Sequence, residues 1–160
     1  MNEWHDFFIA TAGASAALTG LIFVGVSINL SRILAIPALP GRALISMMML
    51  LTILIISLFM LVPSETPETL ALQILITGLL SWIAVLKVDF GILTNKEEHY
   101  KKLYLLNMSL NQIALLPYII SGFYLINGNN SGMYWLVTSV IGSFLKASLD
   151  AWVLLIEINR

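Results

Sequence analysis

Lys146 and Asp150 stand four residues apart inside an otherwise apolar stretch of the chain. On a helix that spacing puts an ammonium and a carboxylate on one face, where they can pair. A charge at the middle of a bilayer costs about 2.5–3.5 kcal/mol on the insertion scale, so each of them needs compensation. Two chemistries would use such a cluster: an ion or proton pathway, or a neutralised ion pair that keeps helices in register. Lys87 and Asp89 form a second charged couple, but two residues apart they point to opposite sides and cannot satisfy each other. Lys87 falls at the same depth as Asp150, about 25 Å into its stretch. The spacing therefore predicts a cross-helix network of Lys87, Lys146 and Asp150. Asn107 and Asn111 of a neighbouring stretch would be its amide partners, with Asp89 beside them.

Other chemistry is poorly supported. His5 with Glu3 and Asp6, and His99 with Glu97 and Glu98, lack ligand spacing on a regular element, so no metal site and no cofactor is expected. No histidine lies within an apolar stretch to serve an intramembrane serine nucleophile. No carboxylate pair has the helical spacing that a metal-dependent lipid transferase needs. Zero cysteines remove disulfides, thiolate metal sites and thiol nucleophiles. Filter-type, arginine-rich and phosphate-loop motifs are also missing.

These side chains must be positioned in a membrane. The chain has 160 residues, 59% of them hydrophobic and only 11% charged, with a mean hydropathy of +0.92. Ordinary soluble domains carry about 25% charged residues. A net charge of −1 without a long basic run offers no nucleic-acid surface. Five stretches reach the roughly 20 residues that a crossing requires: 7–30, 43–62, 70–90, 103–126 and 133–158. The expected fold is an all-α, polytopic membrane bundle of five helices, one transmembrane domain over 1–160 with no soluble domain. The acidic flank and the early small residues mark the first stretch as retained, not as a cleaved signal.

Charge bias sets the expected orientation. Arg32 and Arg42 follow the first span, Lys96, Lys101 and Lys102 follow the third, and Arg160 follows the fifth. Glu3, Asp6, Glu65 and Glu68 occupy the other side. Strict alternation then predicts an outside N-terminus and a cytoplasmic C-terminus, in a bacterial inner membrane.

Inside a membrane, small and polar residues mark the faces that meet protein. In span one, Ala12, Ala16 and Gly20 recur every four residues, as do Gly13 and Ala17. This predicts a central packing helix, or a dimerisation face. Span two is bulky nearly all round and is expected at the periphery. Spans three to five carry polar stripes: Gln73, Thr77, Ser81 and Lys87; Asn107, Asn111, Tyr118 and Ser121; Ser139, Ser143, Lys146, Asp150 and Glu157. Such stripes should face one another or a partner chain. Pro117 should kink the fourth span.

The opening Trp4-His5-Asp6-Phe7-Phe8, followed by Ala16-Ala17-Leu18-Thr19-Gly20-Leu21-Ile22-Phe23-Val24, resembles the start of small uncharacterised bacterial multi-span membrane proteins. Some of these carry the label of modulator of a membrane-anchored AAA protease. The resemblance implies a regulatory membrane subunit and carries no site residue. The expected function is a non-enzymatic accessory or regulatory subunit, or a homo-oligomer, whose partners are the bilayer and another membrane protein or a second copy. The alternative is an oligomeric ion channel or proton-coupled transporter built on Lys146 and Asp150.

Overall fold

The computed structural model of the protein describes residues 4–63, 66–94 and 101–158. Its elements are α1 (His5–Ile28), α2 (Leu30–Ala35), α3 (Leu39–Leu61), α4 (Pro67–Thr94), α5 (Lys101–Ile126) and α6 (Gly132–Ile158). All but α2 are long and apolar enough to cross a membrane, and no strand occurs among the described residues.

Local chemistry explains the boundaries. Pro40 in the first turn of α3 and Pro67 at the start of α4 need no backbone donor there, and their fixed φ suits a helix start. Just beyond the end of α5 stands Gly128, whose φ of 73° is left-handed. There Gly128 N–H donates to the Leu125 carbonyl and Asn129 N–H to that of Tyr124, closing the last turn. Helix α5 runs unbroken through Pro117. The short α2 starts after Asn29, whose side-chain amide donates back to the Gly25 carbonyl.

Helices α3, α4, α5 and α6 form a ring, each packed on the next, and α1 lies outside it against α3. The ring is tightest between α4 and α5. A Cβ on Gly122 would stand 2.8 Å from Leu75 Cα, and one on Gly78 would stand 2.8 Å from Tyr118 Cβ. Neither glycine could be larger without moving a helix. Large apolar side chains such as Leu21, Phe23, Ile28, Leu103 and Ile113 point outward, as a lipid-facing surface requires.

Two packing expectations are overturned. Helix α3, the bulky span two, is the centre and not the periphery: 44% of its most apolar stretch is buried, against 17% for α1. Ile45, Met49, Leu50, Ile53 and Ile56 interdigitate in the core. Polar anchors sit among them: Thr52 donates to Ser81 Oγ of α4, and Ser57 shares a hydrogen bond with Thr11 of α1. Conversely, the small residues of α1 do not pack within the chain. Gly13, Ala16, Ala17 and Gly20 are exposed, Ala12 is half-buried, and a Cβ on Gly13 or Gly20 would touch nothing within 4 Å. Small residues allow close approach but do not say to which helix.

A candidate functional site: the buried charge network

Three helices bring ionisable groups to one end of the ring, and α5 brings amides to the same level. Arg42 comes from the first turn of α3, Asp89 from the last two turns of α4, and Lys146 and Asp150 from the second half of α6. Alternating helix direction makes these positions level. Lys146 lies deepest, about 18 Å from the end of α6.

Lys146 Nζ pairs with Asp150 Oδ2, and both side chains are buried. The other oxygen, Asp150 Oδ1, lies 3.9 Å from Arg42 Nη2. That same Nη2 donates to Asn107 Oδ1 at 3.4 Å. On the far side Asp89, also buried, accepts from Asn111 Nδ2 at 2.9 and 3.1 Å and from Gln112 Nε2 at 3.5 Å. Asp150 is thus shared by two cations, Asp89 is held by amides of α5, and the four formal charges sum to zero. In a medium of low dielectric this balance offsets part of the cost of burying the ions, while Arg42 Nε, Asn111 Oδ1 and Gln112 Oε1 are buried without a hydrogen-bond partner among the described residues.

The predicted cluster is assembled with two changes. Asp150, Lys146, Asn107, Asn111 and Asp89 all belong to the network, but Lys87 is exposed and stands outside it. Only one of Lys87 and Asp89 can face the bundle. The short carboxylate stays inside, whereas the four-carbon stem of lysine lets its ammonium reach toward water. Arg42 takes the place assigned to Lys87, and Gln112 is a further member that sequence reasoning missed. The partnering also differs: Asn107 serves Arg42, and Asn111 serves Asp89.

Further along the same α5–α6 seam, Tyr118, Ser121, Ser139 and Ser143 carry buried hydroxyls, and Ser139 Oγ donates to the Ala114 carbonyl at 2.6 Å. The stripes of α5 and α6 thus meet each other. That of α4 makes contact through Ser81, while Gln73 and Thr77 are half-buried. No group of three or more potential metal ligands occurs among the described residues. Glu3, Glu65, Lys96, Glu97, Glu98, His99, Tyr100 and Arg160, and the side chains of Lys101 and Glu157, lie outside the described residues. A cavity between α1, α2, α3 and α6 is lined by none of the four charged groups.

The chain matches no protein-family model, and comparison with curated proteins and with solved structures returns no match.

Proposed function

We propose that this is a non-enzymatic multi-pass protein of the bacterial cytoplasmic membrane, an accessory or regulatory subunit that docks through α1 to a second copy or to another membrane protein. The carrying observation is the two-sidedness of α1. Phe8, Thr11, Ser15, Leu18 and Ile22 face α3, buried or partly buried. At about 100° per residue, Gly13, Ala16, Ala17 and Gly20 fall on the opposite side of the helix. That bare, small-residue side is the kind of surface on which membrane helices approach closely.

The charge network supports the same reading. Within a single chain its two cations share Asp150 and its second carboxylate, Asp89, is taken up by amides of α5. An ion pathway is the poorer fit for that reason. Orientation rests on the basic residues: alternating spans put every Lys and Arg outside the apolar interior on one side, which is the cytoplasmic side by the positive-inside rule.

Mass determination after extraction in mild detergent tests the proposal. The expected result is a mass above the 17.7 kDa of one chain, falling to the monomer in Ala16→Ile and Gly20→Ile while the helical spectrum persists. A monomeric wild type without partners would remove the docking role, and an ion flux through wild-type liposomes would favour the channel.

A further inference from the structure

Arg42 and Asp150 meet near the end of the ring where α3 begins and α6 ends. Leu39 lies three residues before Arg42, and Leu154 lies four residues after Asp150. Each therefore shares a helix face with its charged neighbour, one turn nearer that end. The two leucines and Ala43 form a small buried cluster separate from the main core. Its fourth buried member is Ile33, which comes from α2, outside the ring. An apolar layer thus lies between the ion pair and the end of the bundle, and a connecting segment supplies part of it. Beneath this layer the side chain of Asp150 is 3% exposed, whereas that of Arg42, at the rim, is 20% exposed.

Helix α2 is built as a strap. Helix α1 stops at Ile28, and Asn29 leaves helical geometry at φ −107°, ψ 18°. Beyond α2, Ile36 is extended at φ −112°, ψ 109°, as a residue before proline prefers. Breaks on both sides let α2 move as a unit. Its six residues are far fewer than the roughly 12–15 that an isolated helix needs, so packing must hold it. Ile33 is its one buried residue, and the other five are exposed. That side chain also borders the cavity between α1, α2, α3 and α6, which gives it room to withdraw.

We propose that α2 is a hinged strap that controls the entry of water to the charge network. With Ile33 seated on Leu39, Ala43 and Leu154, the strap seals Asp150 from the water at this end of the bundle. With Ile33 withdrawn, water reaches the ion pair while the ring stays folded. One buried side chain on a short segment is the scale of contact that local opening breaks. The strap does not depend on docking through α1.

Ser46 supplies the reporter position. It is fully buried one turn deeper than Arg42 on α3, and its hydroxyl donates to the Arg42 carbonyl. Ser46→Cys in the full chain is treated in proteoliposomes with a charged methanethiosulfonate reagent on both sides. Thr94→Cys is the exposed reference at the same end. With Ile33 in place the thiol at position 46 should react far more slowly than the reference. Ile33→Ala should speed its labelling at least about tenfold, whereas Ile33→Val keeps most of the contact and should leave it slow. Pro37→Gly keeps every buried side chain, loosens the hinge and should also raise the rate. Ser143→Cys should stay unreactive in both backgrounds, which separates opening of the strap from loosening of the bundle. Unchanged labelling at position 46 in Ile33→Ala and Pro37→Gly would overturn the proposal. Labelling at position 143 in either variant would also overturn it, by showing that the ring itself has come apart.

Discussion

Asn111 of α5 donates from one amide nitrogen to both carboxylate oxygens of Asp89 on α4, at 2.9 and 3.1 Å. Both side chains are buried, and this contact, with Gln112 behind it, supplies Asp89 with its hydrogen-bond donors among the described residues. Leucine at 111 preserves bulk but removes the donor. A buried charged group deprived of its partner costs about 1–3 kcal/mol or more. Asn111→Leu should therefore lower the melting temperature in detergent, followed by circular dichroism. Asp89→Leu in the same chain should restore part of the loss, since removing both partners is cheaper than orphaning one.

The placing of Asp150 between two cations makes a sharper prediction. Exchanging Lys146 and Asp150 keeps their pair but sets an ammonium toward Arg42. An isolated pair would tolerate the exchange. In this network Lys146→Asp with Asp150→Lys should be no more stable than either single change, and adding Arg42→Glu should recover part of the loss. Thermal unfolding of the series measures it. Full stability of the double exchange would show that Arg42 does not matter.

Glycines separate the tight seam from the bare helix. Gly122→Ala forces a Cβ against the Leu75 backbone and should cost about 1–3 kcal/mol. Gly13→Ala and Gly20→Ala meet nothing within the chain and should leave the monomer unharmed, gaining up to about 1 kcal/mol each from helix propensity. Comparing the three melts under conditions that keep the protein monomeric checks both statements.

Much of this arrangement was legible in the residues. Five spans follow from apolar length alone, and the stripes of α5 and α6 locate Asn111, Lys146 and Asp150 because period 3.6 fixes a helix face. Arg42 escapes the sequence reading because, just ahead of the apolar run, it reads as a loop residue. Pro40 is the overlooked signal: proline in a first helical turn moves the start of α3 back to Leu39 and carries Arg42 into the helix. The choice between Lys87 and Asp89 needed side-chain length, since both sit near one level and only the lysine can reach out. The roles of α1 and α3 were inverted for a deeper reason. Lipid is as apolar as leucine, so bulk does not say whether a face meets oil or protein. Thr52 and Ser57 were the better markers of burial, because hydroxyls in such a helix seek partners across the interface.

Lys146 and Asp150 are enclosed by protein and cut off from water. Since the chain has no cysteine, Ser143→Cys, one turn from Lys146 on the same buried face, can report on this with little change in size. Its reaction with a charged methanethiosulfonate reagent applied to either side of proteoliposomes is the direct measurement, with Ser131→Cys and Thr94→Cys as exposed references at the two ends of the bundle. The account predicts that the references are labelled and that Cys at 143 stays unreactive from both sides. Labelling at 143 at a rate near the references would reveal a water-filled path along the network and contradict it.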